Sequence, residues 1–231
     1  MSKQYAYTGQ ENLEAMKEAV NYNRYQYNFI NCQIRKLKKR PKRILDFGAG
    51  IGTYADMFKD SGIIVDCVEP TPSQAKILKR KGYNVYKDIK DVNGRYDLVY
   101  VLNVLEHIKD DGKALDSLKT CLNDGGIIVV YVPAFSIIFT KLDIIAGHYR
   151  RYRIKEVKSL ANNHGLFLTE VKYCDPIGFV LAIIYRIIGG SGELNTRSIY
   201  IFDKFLFPIS VFLEHIFNKI FGKNILAIFT N

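Results

Sequence analysis

Along this chain, short apolar runs alternate with segments in which apolar residues recur every three or four positions. The first pattern predicts strands and the second helices. Strands are expected at 43–47, 63–69, 84–86, 97–102 and 126–132, and helices at 53–60, 72–81 and 111–122. Ahead of them, residues 9–39 predict one helix, closed by Pro41. Thr71-Pro72-Ser73 reads as a helix start, and Asn123-Asp124-Gly125-Gly126 as a turn before the fifth strand. Strand–helix alternation with short loops implies an α/β fold, a parallel sheet covered on both faces.

Past Pro133 the pattern changes. A loop over 135–153 leads to a helix at 154–163 and a strand at 166–173, and a last apolar strand covers 224–229. Between them lies an insertion, 175–222, rich in Ile, Leu and Phe. It reads as two helices joined by Gly189-Gly190-Ser191-Gly192. Its best apolar run, 176–188, contains Arg186 and is too short to span a bilayer. Phe179, Ile183, Ile184 and Ile187, then Phe202, Leu206, Phe212 and Phe217, fall at roughly helical spacings. Two readings of the insertion stay open. It caps the domain as ordinary core, or it offers an apolar surface to lipid, a greasy substrate or a second subunit.

The length suits one domain carrying an insertion. The formal charge of +10 is concentrated at 35–43, 79–81 and 150–153. It suits solvated helix ends, an anionic substrate or an anionic membrane surface. No basic low-complexity arm or known nucleic-acid module is present, so no nucleic-acid partner is expected. Cys32, Cys67, Cys121 and Cys174 have neither C-x-x-C nor metal-ligand spacing and read as buried reduced thiols. Met1-Ser2-Lys3-Gln4-Tyr5 lacks the apolar core of a secretory signal. A cytoplasmic chain is expected, with peripheral contact at the inner membrane face left open.

The chemistry gathers around one stretch. The strand Ile44-Leu45-Asp46-Phe47 runs into Gly48-Ala49-Gly50-Ile51-Gly52-Thr53. Three glycines at alternate positions let a ligand approach the backbone, and the helix start behind them offers free N–H groups. Glu69 closes the next strand about 20 residues on, where nucleotide-binding α/β units place a carboxylate on ribose hydroxyls. An adenosine-containing cofactor is expected.

The G-x-G-x-G spacing after Asp46 resembles the first motif of class I S-adenosylmethionine-dependent methyltransferases. Tyr96-Asp97-Leu98-Val99 through Leu105-Glu106-His107-Ile108 resembles a later motif, and Gly125-Gly126-Ile127-Ile128-Val129-Val130 its fifth strand. The ordered matches cover roughly residues 40 to 173. The resemblance implies a doubly wound, Rossmann-like, seven-stranded sheet with an antiparallel last strand and a helical insertion before it. It implies a single domain over 1–231: an N-terminal helical lid (1–40), a cofactor-binding core (41–174), the insertion (175–222) and the last strand (223–231). The cofactor would be S-adenosylmethionine, with Asp46, Gly48, Gly50 and Gly52 around its methionine portion. Glu69 would take the ribose hydroxyls, Asp88 the adenine amino group, and Ile89 would pack on the ring. Asn103 would stand near the methionine end. Tyr22, Asn23, Arg24 and Tyr25, joined by Tyr5 and Tyr7, would close over it.

On the acceptor side, Glu106 and His107 lie just beyond a strand's carboxyl end, and His107 is a candidate base. The segment 147–152 resembles the "GHyRRY" stretch of a methyltransferase subgroup linked to glycan and lipid-linked sugar assembly. It makes His148 the second candidate base, with Arg150, Arg151 and Tyr149 on an anionic acceptor. His164 and His215 read as structural. Some quinone O-methyltransferases carry an acid three residues before the Glu-His pair and use it in a metal site. That position is Asn103 here, and no metal is expected. The expected reaction is methylation, most readily at oxygen, of a small-molecule, glycan or lipid-linked acceptor. The insertion is expected to meet a membrane or a second copy of the chain. An NAD-dependent oxidoreductase and a non-catalytic module of the same fold remain as rivals.

Overall fold

The computed structural model describes residues 10–188 and 196–231. Tyr5, Tyr7 and the expected turn at 189–192 lie outside them. The chain opens with α1 (Gln10–Lys17) and α2 (Val20–Lys36), then builds β1 (Arg43–Phe47), α3 (Thr53–Phe58), β2 (Ile64–Val68), α4 (Pro72–Arg80) and β3 (Asn84–Tyr86). There follow β4 (Tyr96–Leu102), α5 (Asp111–Thr120), β5 (Leu122–Pro133), α6 (Lys141–Ala146), α7 (Ile154–Asn163) and β6 (Phe167–Cys174). The insertion holds α8 (Pro176–Ile188), α9 (Thr196–Ile201) and α10 (Phe207–Phe217), and β7 (Asn224–Thr230) ends the sheet.

The seven strands run in the order β3-β2-β1-β4-β5-β7-β6. β1 to β5 are parallel, and β7 lies antiparallel between β5 and β6. This is the expected sheet. Alternate residues of the central strands serve opposite layers. Val99 and Val101 pack with Leu115, Leu118 and Val157, while Leu98 and Tyr100 pack with Ile30, Phe58 and Leu78. Each fully buried Leu or Val contributes about 1.5–3 kcal/mol over an exposed one. The order reverses between β1 and β4, and the loops at the carboxyl ends there form the place where open α/β sheets bind ligands.

Four local expectations are corrected. The N-terminal helix is two helices. Asn23 Nδ2 donates to the Met16 carbonyl (2.9 Å), and Asp203 accepts the N–H groups of Asn21 and Tyr22 (2.9 and 2.8 Å). A distant acid therefore caps α2 and starts a new helix. β5 begins at Leu122, earlier than expected, and 123–126 is a bulge inside the strand. Leu122 pairs with Tyr96 and Ile127 with Leu98, with a register shift between. The insertion's second helix is interrupted by a π-helical turn over Phe202–Leu206. Pro208 has no N–H for the Lys204 carbonyl, and the ladder widens ahead of it. Of the cysteines, Cys67, Cys121 and Cys174 are buried and free, whereas Cys32 is exposed.

Candidate active site

β1 delivers Asp46 to the sheet's carboxyl edge, and the chain turns there on Gly48, Gly50 and Gly52, with φ of 82°, 57° and 82°. Only glycine holds these angles without strain. Val68 carbonyl accepts the N–H groups of Gly48 (2.9 Å) and Ala49 (3.2 Å). A side chain at Gly48 would strike Val104, and one at Gly52 would meet Leu78 at 2.7 Å. Gly52 thus serves the packing of α3 on α4 as well as the turn.

Glu69 is buried. Oε2 accepts the Gly50 N–H and Oε1 the Thr71 N–H, each at 2.8 Å. The carboxylate clamps the glycine turn to the end of β2, and each oxygen has the capacity to accept one further hydrogen bond. Asp46 is buried, and its Oδ2 has no hydrogen-bond partner. Burial first, then the Glu69 charge, pushes its pKa up to about 8, against the Tyr100 hydroxyl. A buried carboxylate oxygen without a partner, beside a bare backbone turn, can take a donor the protein itself does not supply. Asn103 stands at the end of β4 with φ 54°, its N–H on the Tyr131 carbonyl (2.8 Å). The Tyr22 hydroxyl of α2 reaches it, and the Tyr54 hydroxyl bonds Gln26 (2.6 Å) and Asn23 (3.2 Å). α2 therefore sits against this mouth.

Two residues expected on the cofactor side also have partners within the protein. Asp88 spends Oδ1 on the Lys90 N–H (3.0 Å) in a capping box with Asp91. Ile89 is buried in the core beside Phe47, Val68 and Leu105 rather than standing open as a platform.

Across the mouth, residues far apart in sequence converge. His148 Nδ1 lies 2.7 Å from Asp143 Oδ1. Arg151 brackets the same carboxylate, with Nε on Oδ1 (2.8 Å) and Nη2 on Oδ2 (3.1 Å), and Nη1 bonds the Ala134 carbonyl (3.2 Å). Burial would raise the Asp143 pKa, but the His148 and Arg151 bonds hold it at about 2. The carboxylate is ionised, so His148 Nδ1–H donates and Nε2 carries the lone pair. The His107 ring stands edge-on to His148, centroids 4.6 Å apart. Partial burial of that ring, then the facing His148, lowers the His107 pKa, although its outer edge meets solvent. Glu106 is fully buried with neither carboxylate oxygen partnered, and burial raises its pKa to about 8. The donor atoms of Glu106, His107 and His148 lie within 4.8 Å of one another, close enough to surround one cation. Spacing alone did not reveal that His148 completes the pair, nor that Asp143 orients it.

The arginines correct the sequence reading. Arg151 is buried and consumed by Asp143, so it positions His148 rather than meeting an acceptor. Arg150 pairs with Asp111 (2.8 Å) and donates to the Lys109 carbonyl (2.5 Å), pinning the loop to the start of α5. Tyr149 is exposed, with its N–H on the Glu106 carbonyl (2.8 Å). Neither His164, bonded to Asp116 (2.8 Å), nor His215, bonded to the Phe212 carbonyl (3.0 Å), belongs to this cluster.

The profile of a family described as "Methyltransferase domain" matches residues 22–171. The chain belongs to that family. The chain is 28% identical over 116 residues to a ubiquinone biosynthesis O-methyltransferase of Nitrobacter winogradskyi, covering 46% of the chain and 44% of the relative. It is 24% identical over 147 residues to the C-methyltransferase NovU of Streptomyces niveus, covering 58% of the chain and 35% of the relative. The matches span less than half the length of each of these curated relatives. Among solved structures, phosphoethanolamine N-methyltransferase 2 of Haemonchus contortus, in complex with S-adenosyl-L-methionine, shares the fold. Its TM-score is 0.64 at 19% identity, over 99% of this chain and 58% of that one.

Proposed function

We propose that this methyltransferase uses S-adenosylmethionine to methylate a small-molecule, glycan or lipid-linked acceptor, at oxygen. The observation that carries the reading is the opposition of two half-sites at the switch point. A buried Asp46 with its Oδ2 unpartnered lies beside the glycine turn on one side, and an oriented His148 lies beside Glu106 and His107 on the other.

Asp46 supplies the carboxyl for an ammonium donor, the glycine turn lets polar groups reach the backbone, and Glu69 keeps accepting capacity for hydroxyls. Asn103 and α2 close the mouth. When bound, the cofactor supplies a methyl group already activated by its sulfonium. The chain's own task is to align the acceptor, exclude water and take a proton. His148 Nε2 accepts the hydroxyl proton, and Asp143 stabilises the imidazolium that forms. The N. winogradskyi relative favours oxygen as the acceptor atom, and NovU keeps carbon as the competing outcome. The segment 147–152 carries the preference for glycan or lipid-linked substrates.

Titration calorimetry with S-adenosylmethionine and with NAD, followed by a labelled-methyl screen against cell lipids and glycans, tests the proposal. Binding of the first ligand alone and label in an alkali-stable ether would support it. Absence of S-adenosylmethionine binding would overturn it.

A further inference from the structure

A helix packed on a water-exposed domain ordinarily turns its apolar stripe inward and its charges outward. The helical insertion turns its acids inward and a second apolar stripe outward. The acids of its described residues, Asp175, Asp203 and Glu214, are buried. Asp203 caps α2, and Glu214 bonds the Tyr25 hydroxyl (2.7 Å), Lys172 (3.0 Å) and the Asp175 N–H (3.1 Å). Ser210, also buried, bonds Asp175 (2.7 Å). On the outer side, Phe205, Ile209, Phe212, Ile216 and Ile220 recur every three or four residues, and all are exposed. α8 lies against α10 and extends the face with Ile184, Ile187 and Ile188, the last two 78% and 77% exposed. An apolar face of this extent is not an ordinary solvated surface.

Among the described residues of the insertion, the exposed lysines and arginines have no exposed acid beside them on the same helices. Arg186, Lys204 and Lys219 are exposed, while the acids point inward. No helix of the described residues is long and apolar enough to cross a membrane. An apolar stripe with exposed cations, on helices too short to span, suits a segment lying in the plane of an anionic bilayer. Against a second copy of itself the same face would bring like charges together.

The face also runs to the candidate site. The Arg186 guanidinium donates to the Ile137 carbonyl, tying α8 to the turn before α6. α6 exposes Ile144 and Ile145 on the helix that carries Asp143, the partner of His148.

We propose that the outer face of α8 and α10 docks in the plane of an anionic lipid bilayer and sets the His148 side of the mouth at its surface. The docking does not depend on the methyltransferase reading and is measured without turnover. The test is flotation of the full chain with vesicles of phosphatidylglycerol and phosphatidylcholine, and of phosphatidylcholine alone, at low and high salt. Binding to the anionic vesicles, reduced at least tenfold by high salt, is expected. The pair Phe212→Ser and Ile216→Ser should lower it at least tenfold with an unchanged melting temperature, since both side chains face outward. The pair Lys204→Glu and Lys219→Glu should remove the preference for anionic vesicles. A folded wild type that ignores anionic vesicles at low salt overturns the proposal, as does equal binding to both compositions. So does a dimer by sedimentation velocity that Phe212→Ser and Ile216→Ser dissociate.

Discussion

The two sides of the mouth are built by different logic. On the cofactor side, groups are neighbours in sequence, and backbone conformation does much of the work. Gly48, Gly50 and Gly52 take positive φ, and Glu69 holds the turn through Gly50. On the acceptor side, side chains from the turn after β4, from α6 and from the loop before α7 meet, and the arginine charges are spent on neighbouring acids. Arg151 and His148 share Asp143, and Arg150 takes Asp111. The cofactor side is therefore sensitive to shape, and the acceptor side to the loss of a single partner. Predictions follow from that contrast.

The largest effect should come from Gly48→Val. The angle of 82° is closed to a branched residue, and its side chain would displace Val104, which leads into Glu106 and His107. Strain and overpacking together should cost about 2–5 kcal/mol, lowering Tm by roughly 5–15 °C. Calorimetry should find no cofactor binding. Normal binding would show that the glycine turn is not the site.

The acceptor side breaks differently. His148→Ala should lower turnover by about 10²–10⁴ with cofactor affinity intact. Asp143→Asn should reproduce most of that loss, because an amide can turn its NH2 toward Nδ1 and release the tautomer. It also leaves Arg151 buried without its counter-charge, so a Tm loss should accompany the kinetic one. Rescue of turnover by raising pH in His148→Ala, where hydroxide can take the acceptor's proton, but not in Asp143→Asn, would separate proton transfer from orientation. If both variants stay within a few-fold of wild type, the base lies elsewhere.

The same contrast explains what could be read from the chain alone. The central strands and the glycine turn were legible because local apolar runs and local backbone needs specify them, and the antiparallel direction of the last strand followed from the family resemblance alone. β1 falls at 43–47, as the run Arg43-Ile44-Leu45-Asp46-Phe47 implies. The break between α1 and α2 was hidden, since the acid that caps α2 is Asp203, about 180 residues away in sequence. The segment 147–152 announced chemistry, but its arginines looked free because their partners, Asp143 and Asp111, come to them only through the fold. Ile89 looked available for the same reason: a sequence does not say which side of a turn the core claims. Helical spacing marked the insertion as amphipathic without telling which face turns inward.

A smaller effect is expected at Glu69. Its carboxylate makes two charge-assisted bonds to backbone N–H groups, of about 1.5–3 kcal/mol each. Glu69→Ala should lower cofactor affinity at least tenfold and loosen the turn. Glu69→Gln sharpens the point, because it keeps the size and one acceptor oxygen. A loss of affinity in Glu69→Gln without a loss of Tm would mean that the carboxylate serves the ligand as well as the turn.

The smallest effect, and the one that tests the orphaned acid directly, is the pH dependence of stability at Asp46. Its folded pKa of about 8 lies above the ordinary carboxyl value of about 4. Between those values the folded state keeps a proton that the unfolded chain has released. The contribution is fully present below about pH 4 and is lost as pH rises through 8, by at most about 1.4 kcal/mol per pH unit. Asp46→Asn removes this term, so the Tm difference between variant and wild type should move in the variant's favour by several degrees from pH 5 to pH 8. Saturating S-adenosylmethionine should shrink that slope in the wild type, because an ammonium donor beside the carboxyl restores its charged form. A slope that the ligand leaves unchanged would place the ligand's cationic end away from Asp46, while the clamp at Glu69 and the base at His148 would still stand to be tested by their own variants.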